Sequence, residues 1–386
     1  MAKKTDSPRR KLMQPAPGRM DMVFFLVTMM LLVIGLVMLF SASYANAYYL
    51  LGDSFNYIRK QLIFAVPGVV AMLVISRIDY HIFHRLAYPL IGISLVLLVV
   101  VFFMEPINDA HRWIYIGNLT TFQPSEIAKF ALVVLYAHWM SINPGSVRTL
   151  PGLAPYGCVL GVFALLLIAE PHLSATVIVA GMAVIMLILG GLNLKWLGGL
   201  IAGGVPAGLL LIFIMGKWDR LMGRVTSWLN PGADARGDGW QTLQSLYSIG
   251  SGGLMGTGIG NSRQKYLFLP EPQNDYIFAI ICEELGFIGA TLILLLFALF
   301  IWRGFVIGAR ARDRFGSFLA LGLTVQLALQ VLLNIAVVTN TIPATGIGLP
   351  FFSYGGTSLM MVLGQVGVLL SISRQPKTEE PEEETP

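Results

Sequence analysis

The stretch Met22-Val-Phe-Phe-Leu-Val-Thr-Met-Met-Leu-Leu-Val-Ile-Gly-Leu-Val-Met-Leu-Phe40 decides the architecture of this chain, because it runs without one charged side chain. At a helical rise of about 1.5 Å per residue, about 20 such residues cross the hydrocarbon core of a bilayer. Six cations, Lys3, Lys4, Arg9, Arg10, Lys11 and Arg19, lie before it. No small-residue cleavage pattern accompanies the run, so it reads as a retained first span and not as a signal peptide.

Outward from this span the same criterion repeats. Ten spans are predicted, at approximately 21–43, 58–76, 86–104, 124–141, 152–170, 173–190, 195–216, 276–302, 316–338 and 355–373. Of the 386 residues 55% are hydrophobic and 12% charged, against about 25% charged in an average soluble domain. The mean hydropathy of +0.71 agrees, and one soluble core cannot hide that much apolar surface. The expected fold is an all-α polytopic membrane protein of about ten transmembrane helices. A basic tail (1–20) precedes the membrane domain (21–374), and an acidic, Pro-containing tail (375–386) of disordered composition follows it.

The net charge of +5 does not call for nucleic acid, since the cations are distributed as a membrane topology requires. With both termini cytoplasmic, the inner segments hold the tail cations, Arg77, Arg85, Arg148, Lys195, Arg303, Arg310, Arg312, Arg314, Arg374 and Lys377, whereas the short outer loops hold only Arg112. Cys158 and Cys282 sit in apolar runs without metal-ligand spacing. Two outer loops are long and patterned: 105–123, with the aromatic cluster Trp113 to Ile116, and 217–275 between spans seven and eight. The larger contains an amphipathic stretch from Trp240 to Ile249 and then six glycines between 250 and 260.

Ionisable groups inside or at the ends of spans are costly and mark function. Glu126 and Lys129, spaced i, i+3 just after Pro124, can pair on one helix face as a structural ion pair or as substrate ligands. Asp275 follows Leu269-Pro270-Glu271-Pro272-Gln273-Asn274 and immediately precedes an apolar run. It reads either as a cap of the eighth span or as a general base, with Glu271 tuning it. Glu283 and Glu284 lie about 12 Å further along that span and read as packing anchors. Beyond the glycines, Arg263 and Lys265 suit a lipid-linked phosphate, although no Walker or dinucleotide pattern is present. Arg112 is either a ligand of an anionic substrate or a headgroup contact. The segment 340–356 breaks regular structure at a membrane face and offers Ser353 and Tyr354 to a polar pocket.

These residues resemble the SEDS family (shape, elongation, division and sporulation), which includes FtsW and RodA. The resemblance covers about residues 20 to 374. Its most specific part is Asn334 to Pro343, then Gly346 to Ser358 with Leu-Pro-Phe-Phe-Ser-Tyr-Gly-Gly-Thr-Ser. Supporting it are His111-Arg112-Trp113-Ile114, Gln123 to Lys129, and Leu269-Pro270-Glu271 leading to Asp275-Tyr276-Ile277-Phe278-Ala279. The run Gly260 to Lys265 is closer to the FtsW branch than to the RodA branch. Gln273-Asn274 stand where the family pattern has His-Thr, His172 where it has Asp, and Asn340 where it has Gly.

The resemblance implies a peptidoglycan glycosyltransferase that polymerises lipid II at the outer face of the bacterial cytoplasmic membrane, at the division septum. Asp275 matches the family's essential acid. Arg112, Glu126, Lys129, Glu271 and Ser353 match positions around the same cavity. A class B penicillin-binding protein and other division-machinery membrane proteins are the implied partners. On this reading Asp275 takes the proton of the acceptor hydroxyl with inversion at the anomeric carbon, while Arg263, Lys265, Arg112 or Lys129 neutralises the departing diphosphate. No motif demands a cofactor; a divalent cation, Mg or Mn, at the diphosphate is the one admitted. A lipid II flippase and a non-catalytic division scaffold are the alternatives.

Overall fold

In a computed structural model of the chain, residues 18–105, 112–116, 120–232 and 239–375 are described. The basic tail up to residue 17, His111, and the acidic tail from residue 376 lie outside them. Twelve helices and one short hairpin are seen among the described residues. The helices are α1 (Met22–Leu51), α2 (Asn56–Ile75), α3 (His81–Val100), α4 (Pro124–Ile142), α5 (Leu150–Ala169) and α6 (Leu173–Leu189), then α7 (Leu194–Ile214), α8 (Trp218–Leu229), α9 (Trp240–Ser251), α10 (Ile277–Ala309), α11 (Arg314–Val338) and α12 (Gly356–Ser373). Eight of them are long and apolar enough to cross a membrane. The other two expected spans have physical reasons for falling short. α6 is an apolar helix of 17 residues, and α4 carries Glu126, Lys129 and His138 on a helix buried almost all round, so it meets protein and little lipid. With these two, the ten spans are α1 to α7 and α10 to α12, and the chain is an integral membrane protein.

Sequence-read boundaries differ most at α1, which continues to Leu51 and not to about 43. Hydropathy drops after Phe40 because Ser41, Ser43 and Asn46 face protein, where they are buried. Asp21 caps the start of α1 by accepting from Phe24 N at 2.9 Å, and Gly52, at φ 72°, ends it. α7 is the opposite case. None of its apolar window is buried, so most of its surface is left to lipid, while Trp196, Leu197 and Leu200 pack against the bundle.

The 217–275 segment is itself largely helical. α9 inserts against α10 and α11, with Ser245 Oγ donating to Val338 O at 2.8 Å and Ser248 Oγ to Ala279 O at 3.0 Å. The 105–123 segment contains strands β1 (Ile114–Ile116) and β2 (Thr120–Phe122), an antiparallel pair in which Tyr115 faces Thr121. The β-branched and aromatic residues Ile-Tyr-Ile and Thr-Thr-Phe suit strands, a local element the helical expectation omitted. Thr357 Oγ1 donates to Thr121 O at 3.0 Å and ties this hairpin to the start of α12.

α10 is broken at Gly286, whose φ of 66° and ψ of −171° no helix contains. The backbone groups released by the break are satisfied by the glycine stretch. Thr257 N and Gly258 N donate to Glu283 O and Glu284 O at 2.9 and 3.0 Å, and Phe287 N and Ile288 N donate to Gly253 O and Leu254 O at 2.9 and 3.2 Å. Such approach leaves no room for side chains. A Cβ on Gly256 would stand 2.2 Å from Glu284 O, and one on Gly286 2.2 Å from Gly256 N. The glycines are thus a close-packed backbone joint, and not the flexible phosphate loop expected from composition.

Candidate active site

Asp275 sits two residues ahead of α10. The N-cap of that helix is Tyr276, and no side chain caps it, so the Asp275 carboxylate is not used as a helix cap. Its backbone is held instead. Asn334 of α11 donates one amide to both Asp275 O and Ile347 O, at 2.7 and 2.6 Å. Gly346 at φ 71° lies so that a Cβ would be 3.5 Å from Asp275 Oδ2. The segment 340–355 is strapped to the same place. Tyr354 N donates to Gln273 O at 2.8 Å, and Gln61 of α2 donates to Ser353 O at 3.3 Å and accepts from Gly355 N at 3.1 Å. Ser353 Oγ accepts from Leu349 N at 2.7 Å, which makes this hydroxyl a brace of the loop. Glu271 is exposed and accepts from Gln273 and Asn274 side-chain amides at 2.9 and 3.0 Å.

Burial raises the Asp275 carboxyl from the ordinary carboxylate range to about 6. A backbone hydrogen bond opposes the rise, the Glu271 charge adds to it and Arg224 opposes it. Arg224 belongs to α8, whose amino-terminal flank carries Lys217, Arg220 and Arg224 at i, i+3 and i+7, one face of the helix. These three cations line one pocket with Ile168, Pro171, His172 and Ile212. Lys217 Nζ donates to Ile168 O and Ala169 O at 2.8 and 2.7 Å and so closes the carboxy-terminal end of α5. The α8 end is docked by a reciprocal pair, Trp228 Nε1 to Asn340 O at 3.1 Å and Asn340 Nδ2 to Trp228 O at 3.2 Å. Asn340 has a φ of 54°, a conformation Asn tolerates better than other side chains, which accounts for its standing at a glycine position.

Arg112 joins this group from the 105–123 segment by donating to Pro171 O. Burial lowers its guanidinium to about 10; the Arg224 and Arg220 charges push the same way and Glu170 opposes. Glu170 is 1% exposed, both its oxygens lack a hydrogen-bond partner among the described residues, and burial raises it to about 8 against the pull of Arg112 and Lys217. Burial and the surrounding positive charges of Arg112, Lys129 and Arg224 hold His172 neutral, well below the ordinary imidazole range. Gln123 Nε2 lies 3.1 Å from His172 Nε2. Beneath them Lys129 Nζ pairs with Glu126 Oε1 at 2.8 Å, both buried.

The structure therefore sets Asp275 within electrostatic reach of Glu271 and Arg224, and Arg112 within reach of Arg220, Arg224 and Glu170. Lys129, paired with Glu126, acts on His172 of the same pocket, and Asn334 and the Ser353 loop brace the Asp275 segment. The three α8 cations were legible as an i, i+3, i+7 pattern, but no helix was expected there. Lys265 is drawn elsewhere. Its ammonium is 2.8 Å from Glu284 Oε1, stacks over Tyr44 at 4.7 Å and is 0% exposed. Glu284 also accepts from Ser41 at 2.6 Å, and Glu283 accepts from Ser248 Oγ and Arg263 N at 3.0 and 2.8 Å. Lys265 thus has no face left for a diphosphate, while the Arg263 side chain points outward and is exposed. No group of three His, Cys, Asp or Glu suited to a metal is seen among the described residues.

Such an arrangement can bind an anion and accept a proton at neighbouring points. The model of the FtsW/RodA/SpoVE cell cycle protein family matches residues 21–378. Stage V sporulation protein E of Bacillus subtilis is 42% identical over 361 residues, covering 92% of this chain and 97% of that protein. A probable peptidoglycan glycosyltransferase FtsW of Trichlorobacter lovleyi is 39% identical over 357 residues, 92% and 93% of the two chains. Among solved structures, a chain from a peptidoglycan synthase complex, studied for the coordination of polymerization and crosslinking, superposes with a TM-score of 0.75 at 26% identity over 92% of this chain and 98% of that one. The rod shape determining protein RodA of Thermus thermophilus shares the fold at a TM-score of 0.66, with 24% identity over 92% and 97%. Ten spans, a family model matched over residues 21–378 and relatives matched over nearly their whole length lead to one conclusion: the chain belongs to the FtsW/RodA/SpoVE family of cell cycle proteins.

Proposed function

We propose that this protein is a peptidoglycan glycosyltransferase that polymerises lipid II at the outer membrane face, with Asp275 as general base. The observation that carries the assignment of roles is the meeting of a half-buried carboxyl, raised to about 6, with Arg224 at the edge of a cation-lined pocket. In the reaction the acceptor sugar hydroxyl loses its proton to Asp275, and its oxygen bonds to the anomeric carbon of the donor. The bond from that carbon to the lipid diphosphate breaks, and the electron pair leaves with the diphosphate. Arg112, Arg220 and Arg224 neutralise that developing charge in a partly desolvated site, where a charged donor is worth more than in water. Lys129 and Glu126 underlie the same mouth and position it. Asn334 and the Ser353 loop act through Asp275, by fixing its backbone.

Support for the activity comes from the relatives named as probable peptidoglycan glycosyltransferases and from the likeness to a synthase-complex chain. By the same support, the partner is a class B penicillin-binding protein that crosslinks the strands, the site of action is the septum, and both termini are cytoplasmic. A divalent ion, Mg or Mn, would assist by neutralising the departing diphosphate, held by substrate phosphate oxygens with one or two carboxylates at most. The flippase and scaffold readings are separated from this one by a single assay. Purified wild type is expected to form glycan polymer from lipid II, with or without a class B partner, and Asp275→Asn to form none while still binding substrate. Equal polymer from the variant would overturn the role of Asp275; no polymer from either, with lipid II moving across liposomes, would favour translocation.

A further inference from the structure

A second cavity opens at the opposite end of the bundle from Asp275. α1 begins and α12 ends on that side, with Arg374 donating to Gly18 O at 3.2 Å. The cavity has a volume of about 250 Å³ and lies between the ends of α4 and α6, the turn Pro144 to Arg148, and the start of α11. Arg148 and Arg314 both line it, both are exposed, and neither guanidinium has a hydrogen bond or ion pair among the described residues. A Cβ on Gly191 would sit 3.5 Å from Arg148 Nε, so the guanidinium lies close along the backbone that ends α6.

No acid lines the cavity. The neighbouring acid, Asp313, is engaged in capping α11, where it accepts from Phe315 N and Gly316 N at 3.0 and 3.2 Å and from the Tyr80 hydroxyl. The rest of the lining is mixed, with apolar Met140, Val147 and Phe318 beside polar Asn143, Ser146 and Ser317. Just outside, Ile142 and Leu150 are 53% and 55% exposed at the end of one span and the start of the next. Two unpaired guanidinium groups in a part-polar, part-apolar cavity, with exposed aliphatic side chains leading into the bilayer, match an amphiphile with an anionic head. A free phosphate would use the arginines and leave the apolar surface uncovered.

We propose that this cavity binds the phosphodiester headgroup of an anionic membrane lipid between Arg148 and Arg314. Bound there, the lipid bridges the inner ends of α4 and α11, the helices that carry Lys129 and Asn334 at their other ends. The test uses the full-length protein, stripped of lipid in detergent. Retained phosphatidylglycerol is counted by native mass spectrometry and its stabilisation followed by thermal unfolding, with phosphatidylcholine and inorganic phosphate as parallel arms. Wild type is expected to bind phosphatidylglycerol at least tenfold more tightly than Arg148→Gln/Arg314→Gln. Arg312→Gln, an exposed cation that does not line the cavity, is expected to match wild type. Arg148→Lys/Arg314→Lys keeps the charge and is expected to retain most of the binding, which guards against a misfolded double variant. Equal phosphatidylglycerol binding by wild type and the Gln variant would overturn the proposal. So would stabilisation by inorganic phosphate at the same concentration, since the ligand would then be a soluble anion.

Discussion

Two acidic clusters lie eight residues apart on one stretch of chain and have opposite fates. At the break in α10, Glu283 and Glu284 are 1% exposed and surrounded by donors: Lys265, Ser41, Ser248 and the Arg263 backbone. At the mouth, the Asp275 carboxylate is half-buried, forms no ion pair within 4 Å among the described residues and looks toward a pocket of cations. The first cluster uses its charge to tie a broken helix to Ser41, Ser248 and the 262–265 turn. The second keeps its charge available. A buried carboxylate with every lone pair answered is a structural part, whereas one left partly answered beside a cleft is where a proton can move.

The strongest way to break this contrast is at Asp275. Asp275→Asn is expected to lower polymerisation by about 10²–10⁴-fold, the usual worth of a general base, with an unchanged melting temperature. A comparable loss of stability would make Asp275 an anchor like its neighbours. On the other side, Lys265→Met leaves Glu284 buried without its cation and is expected to cost about 3–5 kcal/mol in unfolding experiments. Adding Glu284→Gln to that variant should restore most of the loss; no recovery would mean that the pair is not the anchor.

Smaller effects sharpen the mouth. Arg220→Gln and Arg224→Gln are each expected to raise KM for lipid II by about tenfold or more, as loss of a charged hydrogen bond of about 1.5–3 kcal/mol requires. Exposed Arg263→Gln is expected to change KM less than about twofold by the same scale, because its side chain stands outside the pocket. The pH profile tests the carboxyl itself. A base works in its ionised form, and burial raises Asp275 to about 6, so kcat/KM should climb as pH rises through about 6 and level off above it. A profile flat from pH 5 to 8 would remove Asp275 from the proton transfer.

Much of this was open to reading in the chain itself. The spans follow from local hydropathy, which needs only neighbours in sequence, and Asp275, Arg112 and the Glu126–Lys129 pair stand out because ionisable groups are costly at membrane boundaries. α1 was read too short because Ser41 and Asn46 look like loop residues until Glu284 and Gln273, more than two hundred positions away, are seen to receive them. The glycines of 250–260 look flexible until the backbone of α10 is found against them.

What the sequence by itself determined, then, is a polytopic helical membrane protein with a long segment between its seventh and eighth spans and an acid at that segment's edge, since burial in lipid is decided residue by residue. Tertiary structure alone decided which cation is sealed inside and which lines the pocket. Lys265 and Arg224 are both basic residues of the same segment, yet one is sealed against Glu284 and the other lines the pocket near Asp275. Composition cannot separate them, because whether a cation is neutralised depends on which distant carboxylate the fold brings within hydrogen-bonding reach.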